Sequence, residues 1–357
     1  MTNKFKFLIL AAIAATVFSC KSDEPVPAPV EPAMSYIINY GDYMGAKSTI
    51  TAYNKETETV TNDYYENVNG VSLVSNVQHA FSYDGRIYML GNNPDELLWV
   101  NAETFSQTEN SVSADIVKPR FGVGDGNYLY ISCWGGDIWT DESLSYIAKY
   151  NIASKTVEEK IALPGGPEGM AIANNKLYAA LNYKDSVAVI DLISNQISYI
   201  ETPAVTSYFL KDKQNNLYVS LVSTFSDSSE STGLGYINTA NDALEATYPL
   251  AGVSTSYVNI MAADNDFSKI YVVTEGANWG DPGALAVFDV ASKEFAADKF
   301  LASVPGINGI ACYNNKVFVF IAESVTADGT AKTYLPDGSL SEEFATGKAP
   351  YILITAE

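Results

Sequence analysis

Few side chains in this chain of 357 residues can do chemistry, and they lie far apart in it. His79 is the only histidine, so neither a multi-histidine metal site nor more than one histidine-based triad can form. No His-Glu-x-x-His, Gly-x-Ser-x-Gly or phosphate-cradling glycine loop occurs. What remains is one guanidinium, Arg120, able to hold a carboxylate, amide or phosphate oxygen of a ligand or to balance Glu168. Glu168, Asn259 and Asn308 are oxygen donors of the kind a hard cation such as Ca²⁺ prefers. His79 reads as a buried hydrogen-bonding residue, with ligation of a metal inside a bound cofactor as the alternative. Large aromatics complete the inventory: Trp134, Trp139, Trp279, Tyr40, Tyr43, Tyr183 and Phe225 stand among Gly, Asn and Asp. Each can bury roughly 150–250 Å² with little entropy lost. About 400 Å² of ligand apolar area, at roughly 25 cal/mol per Å², is a gross ~10 kcal/mol before association costs.

The elements that position these residues are read from repetition. Residues 167–200 contain four short apolar segments, 167–173, 176–181, 186–191 and 196–200, separated by turns at Asn174-Asn175, Asn182 to Asp185 and Ser194-Asn195. Such a unit is a four-stranded antiparallel meander, and it recurs six more times. The second strands read Tyr36-Ile37-Ile38, Arg86 to Leu90, Tyr128 to Ile131, Leu177-Tyr178-Ala179, Leu217-Tyr218-Val219, Ile270 to Val273 and Val317 to Phe320. A period of about 40–50 residues made of such units marks a β-propeller, whose blades cannot bury both faces alone. The sequence therefore predicts an all-β, seven-bladed propeller of four-stranded antiparallel blades. The first unit lacks an inner strand and the chain ends with an extra one, Tyr351 to Thr355, which is expected to join blade 1 and close the ring. Two separate β-sandwiches would have no use for a half-unit at each end.

In this architecture the loops between second and third strands share one face with the outer-to-inner connections. The first kind carries Tyr40, Tyr43, Trp134, Trp139, Tyr183, Phe225 and Trp279. The second delivers Gln78, His79, Arg120, Glu168, Tyr208, Asn259, Asn308 and Tyr351 to the mouth of the central channel. A polar ring inside an aromatic rim suits a pocket with a few orienting hydrogen bonds.

The opening residues carry Lys4 and Lys6, an apolar run from Phe7 to Phe18, then Ser19-Cys20. The run is too short to span a membrane and fits a signal peptide over 1–19, with Cys20 expected to be the lipidated first residue of the mature chain. Several acyl chains anchor stably. Residues 20–34 read as an acidic and Pro-rich tether, and 35–357 as one propeller domain. The net charge of −21, from 42 acidic against 21 basic residues, argues against nucleic acid or anionic lipid as a partner. Cys133 and Cys312 fall in blades 3 and 7, too far apart in the ring to pair.

Asn39-Tyr40-Gly41, Pro119-Arg120-Phe121, Trp134-Gly135-Gly136 and Gly166-Pro167-Glu168-Gly169-Met170-Ala171 resemble the YncE-like seven-bladed propeller lipoproteins of Bacteroidetes surfaces, the BtuG-type group among them. The resemblance spans nearly all of the mature chain. It implies a lipid-anchored protein on the outer face of the outer membrane that captures a scarce nutrient without bond making. The nutrient, a corrinoid such as cobalamin first and a ferric siderophore or haem second, would pass to a TonB-dependent transporter. No resident cofactor is expected. Two other readings stay open: a lactonase-like hydrolase, which would need Ca²⁺, and a surface scaffold for protein or glycan.

Overall fold

A computed structural model describes residues 33–356 except 225–227, 230, 255–258, 276–280 and 325–326. Cys20 and the expected signal and tether up to residue 32 lie outside the described residues. Short apolar runs rich in tyrosine and β-branched residues form second and third strands buried on both faces. Outer strands such as Thr156–Ala162 and Ala243–Pro249 alternate half-buried and exposed residues. The strands, most of them five to seven residues long, group in seven antiparallel sheets. Strand Pro350–Thr355 pairs with Met34–Asn39 and supplies the missing inner strand of blade 1. The innermost strands touch in the cyclic order of blades 1, 2, 3, 4, 5, 6, 7 and back to 1. The expected seven-bladed ring and its closure are therefore both present. Cys133 and Cys312 are free thiols in blades 3 and 7.

Blade 2 departs from the pattern. It has three strands, Asn76–Tyr83, Arg86–Asn92 and Glu96–Asn101, and in place of a fourth Val112 makes a single bridge to Leu97. The missing mass is supplied by a short helix, Tyr64–Asn69, which the sequence reading did not contain. Its Tyr64 and Tyr65 pack with Tyr36, Leu73 and Phe105. At six residues it is too short to show a 3.6-residue period, and tertiary packing holds it.

One turn is repeated between third and outer strands. Asn54, Asn101, Asn151, Asp191, Asn238 and Asp289 each accept a backbone N–H two or three residues on. Four residues later the chain turns left-handed, at Glu58, Phe105, Lys155, Asn195, Asp242 and Lys293. Asx side chains make such turns because they mimic a backbone acceptor.

A second repeated feature sets the site. The pairing of first and second strands slips between Val77 and His79, Pro119 and Phe121, Pro167 and Met170, Thr206 and Phe209, and Ile307 and Gly309. It also slips where Pro350 and Ile352 meet blade 1's second strand. The skipped residues are Gln78, Arg120, Glu168 with Gly169, Ser207 with Tyr208, Asn308 and Tyr351. Bulges re-aim side chains at barrel rims, and here they put the polar ring at the channel mouth. Neighbouring inner strands are closest at this level: a Cβ on Gly309 would lie 2.2 Å from Tyr351 O.

Truncation before Pro350 leaves blade 1 without its inner strand and the faces of blades 7 and 2 open. The truncated chain is expected to lose its single cooperative urea transition and to be cleaved readily by protease. An unchanged midpoint would show that ring closure does not depend on this strand.

Candidate functional site

The mouth of the channel is laced sideways, blade to blade. The Tyr351 hydroxyl donates to Val77 O. Asn92 Nδ2 donates to Pro119 O at 3.3 Å, Ser132 Oγ to Glu168 O at 2.9 Å and Asn182 Nδ2 to Thr206 O at 2.6 Å. Asn259 Nδ2 donates to Ile310 O at 3.3 Å and Asn308 Nδ2 to Pro350 O at 2.9 Å. Each is a buried or half-buried amide or hydroxyl that meets an inner-strand carbonyl of the next blade, at the strand's start in every case but Ile310, as buried backbone polar groups require.

Within this ring the structure joins five of the expected residues into one cluster between blades 3 and 4. Arg120 Nε lies 2.9 Å from Glu168 Oε1, and both residues are buried. The Arg120 guanidinium also stands over the Trp134 ring, 4.3 Å from its centroid, a cation–π contact strengthened by desolvation. Trp139 and Tyr183 meet Trp134 edge-on, at 5.6 and 6.1 Å. Burial pushes the Glu168 carboxyl above its ordinary value, and Arg120 beside it pulls it part of the way back.

Trp134 is not the exposed contact surface that its loop position implied. It is 3 % exposed, closed in by Arg120, Trp139 and Tyr183, whereas Trp139 is 59 % exposed. Trp139 stands as an exposed apolar platform edge-on to this packed base, and Leu144 and Val117 of the same blade are also exposed. Tyr43 is exposed on the blade 1 loop, next to Met44. Tyr40 is half-buried and meets Tyr351 edge-on at 6.0 Å. Phe225 and Trp279 lie outside the described residues.

His79 and Tyr208 line a central cavity of about 170 Å³ with Arg120, Phe121, Asn259 and Tyr351. Phe121 was not among the expected site residues, yet it organises this cavity. Its ring stacks on His79 at 3.7 Å and lies 6.2 Å from Tyr208. Its one signal was adjacency to Arg120 at a strand start. The Gly122 N–H donates to His79 Nδ1 at 3.3 Å, and burial lowers the imidazole to about 3. His79 is half-buried in the cavity wall, with Nδ1 engaged by the backbone of the next blade.

Glu168, Asn259 and Asn308 do not converge as a cation site. Glu168 is held by a guanidinium, and the two amides point their donors at neighbouring carbonyls. Among the described residues no group of three or more His, Cys, Asp and Glu side chains is arranged to hold a metal ion.

A family model described as "Domain of unknown function (DUF5074)" matches residues 34–276. No curated protein matches the chain. Among solved structures it is similar to a candidate 6-phosphogluconolactonase from Bacteroides uniformis, at 10 % identity and a TM-score of 0.64, covering 90 % of this chain and 99 % of that one. Hydrazine synthase from Kuenenia stuttgartiensis aligns at 14 % identity and 0.60, covering 78 % and 90 %. Apo AztD from Citrobacter koseri aligns at 11 % and 0.54, covering 90 % and 96 %. At these identities the likeness concerns the propeller fold.

Two outcomes are expected from this geometry. Replacing Glu168 by Ala strands a buried guanidinium and is expected to cost roughly 3–5 kcal/mol in urea unfolding. A loss under about 1 kcal/mol would show the pair to be dispensable. For His79 the folded value is below the unfolded one, so between about pH 6.5 and 3 the unfolded chain binds the extra proton. Stability is therefore expected to fall on acidification through this window, by up to about 1.4 kcal/mol per pH unit. A His79→Phe variant should lack that component.

Proposed function

Because the chain belongs to the DUF5074 family, whose description assigns no activity, we propose from its own residues that it is a binding protein that captures a small nutrient on its loop-rich face. The observation that carries this reading is the Trp139 platform, exposed on top of a base fixed by Trp134, Arg120 and Glu168. An exposed indole is a liability in water, and a rigid buried support for it is a feature of binding surfaces.

Size narrows the ligand. The central cavity of about 170 Å³ is below the roughly 300–1,000 Å³ typical of enclosed ligand pockets. A macrocycle must therefore lie across the face, stacked on Trp139 and flanked by Tyr43, Tyr183 and loop amides. A corrinoid is the first candidate, its flat ring suited to stacking and its peripheral amides to the Asn- and Asp-rich loops. Haem or a ferric siderophore is second. His79, stacked between Phe81 and Phe121, is not a candidate ligand to the cargo's metal, so capture rests on stacking and hydrogen bonds. In this proposal Cys20 carries the lipid anchor at the outer membrane, and a TonB-dependent transporter receives the cargo.

The B. uniformis relative bears a lactonase name, and the same activity here would need an ionised, accessible oxygen cluster for Ca²⁺. The engagement of Glu168 by Arg120 speaks against it. Hydrolysis of 6-phosphogluconolactone that depends on Ca²⁺ would replace the capture reading.

Titration of the purified chain with cyanocobalamin, haem and ferric catecholates, read by calorimetry, is expected to show saturable binding to one of them. Trp139→Ala should then weaken it by roughly 2 kcal/mol or more, with little change in melting temperature. If that variant binds as tightly as the parent, the platform is not the site.

A further inference from the structure

Four blades open their second strand with a basic residue, an aliphatic and an aromatic: Arg86-Ile87-Tyr88, Lys176-Leu177-Tyr178, Lys269-Ile270-Tyr271 and Lys316-Val317-Phe318. In blade 4 both ends of the triplet grip one carboxylate of the next blade. Lys176 Nζ lies 2.5 Å from Asp242 Oδ2, and the Tyr178 hydroxyl donates to Asp242 Oδ1 at 2.5 Å. A similar grip closes the gap between blades 7 and 1. There Lys316 Nζ lies 2.5 Å from Glu342 Oε1, and the Tyr53 hydroxyl donates to Glu342 Oε2 at 3.0 Å. Twice, then, the fold seals an inter-blade gap with one carboxylate held by an ammonium and a phenol.

Between blades 6 and 7 the grip is open. Lys269 and Tyr271 occupy the positions of Lys176 and Tyr178, but the turn that blade 7 brings there is Leu335-Pro336-Asp337-Gly338-Ser339. Asp337 is spent on its own turn, accepting the Ser339 N–H at 2.9 Å and hydroxyl at 2.6 Å. Pro336 faces the gap instead. Asp289, opposite Lys269 in the sheet, is likewise bound to the N–H and hydroxyl of Ser292. The result is a cavity of about 330 Å³, lined by Asp264, Asp266, Lys269, Tyr271, Asn315 and Pro336 among others. Tyr271 is 1 % exposed and its ring is packed edge-on against Phe300 at 5.0 Å. Among the described residues its hydroxyl has no hydrogen-bond partner and the Lys269 ammonium no ion-pair partner, although both line the cavity. The hydroxyl is not sealed from solvent, so a ligand oxygen arriving there exchanges a water contact for a direct hydrogen bond.

The other wall carries negative charge. Asp264 accepts from the Ser268 and Lys269 N–H groups at 2.7 and 3.0 Å and from the Ser268 hydroxyl at 2.7 Å, and Asp266 from the Ser268 N–H at 3.0 Å. None of these donors is a cation, so the hydrogen bonds orient both carboxylates without cancelling their charge, and Lys213 adds a Coulombic pull on Asp266. A bare anion would be drawn to Lys269 and repelled by this wall, whereas a molecule with both charges satisfies both sides. We propose that the cavity between blades 6 and 7 is a binding site for a small zwitterion, an amino acid or a short peptide. Its carboxylate takes the place that Asp242 fills in blade 5, on Lys269 and Tyr271, and its ammonium faces Asp264 and Asp266. This site is separate from the loop-rich face, because it is built on the turns between first and second strands.

Calorimetry or ligand-observed NMR on the full chain, with glycine, L-alanine and diglycine as probes and acetate and ethylamine as single-charge controls, tests it. Saturable binding of at least one zwitterion, tighter than either control, is expected. Tyr271→Phe keeps the ring and removes only the hydroxyl, and should weaken binding about tenfold. Lys269→Met should weaken it at least as much, and Asp266→Asn should narrow the preference over acetate. No saturation up to roughly 10 mM by any zwitterion, or unchanged binding in Tyr271→Phe, would overturn the site. Acetate binding as tightly as the zwitterions would overturn the role given to Asp264 and Asp266.

Discussion

Every blade of this propeller must hand its inner strand to a neighbour on each side, and the handover is made at one level, where the inner strands begin. Side chains from Tyr351, Asn92, Ser132, Asn182, Asn259 and Asn308 reach across six blade boundaries to inner-strand carbonyls. Blades 5 and 6 meet instead through the backbone, Ser223 N–H donating to Val253 O at 2.9 Å. Below this girdle most of the contact between blades is made by apolar clusters that any well-packed set of Val, Ile, Leu and Tyr could make, joined by single polar grips such as those on Asp242 and Glu342. The girdle is directional, so it fixes which residue of each strand stands at the mouth.

The bulges follow from the same constraint. Seven strands converging on one channel leave no room for side chains at the closest approach, and the chain answers with glycine or with an extra residue. Gly169 would place a Cβ 2.6 Å from Ser207 O, so blade 4 uses a glycine directly after Glu168. A residue displaced from the ladder is then turned toward its counterpart in the next blade. The Arg120–Glu168 pair is one such meeting, and in a buried setting an ion pair specifies geometry more than it adds stability. What it specifies here is Trp134, clamped between a guanidinium and two aromatic edges.

The fold was legible because it is written seven times. A strand such as Leu177 to Leu181 carries little information alone, but the same pattern at a fixed spacing identifies the blade, and the unmatched Tyr351 to Thr355 segment identifies the closure. The ring at the mouth was also legible as a list of positions, since the outer-to-inner connection ends at corresponding places in each repeat. Contacts between repeats were not. Nothing in the sequence separates Trp134 from Trp139, five residues apart in one loop with similar neighbours. One is buried under Arg120 with Tyr183, from a different blade, against its edge, and the other is exposed. Phe121 and the helix Tyr64–Asn69 were missed for a related reason, their roles being set by partners distant in the chain.

Repetition also gives a way of locating function. A residue that does the same work in every blade is explained by packing, whereas a position at which one blade keeps the residues and lacks their usual partner needs another explanation. Lys176 and Tyr178 are accounted for by Asp242. Lys269 and Tyr271 stand at the same positions beside a cavity, where the turn of the next blade presents Pro336 and keeps Asp337 for itself. The second-to-third loop of blade 3 shows the complementary case, with two indoles, Trp134 and Trp139, five residues apart and one of them exposed. Both departures concern groups whose desolvation or exposure is unfavourable in the chain alone, and each becomes favourable when a partner of matching chemistry is bound.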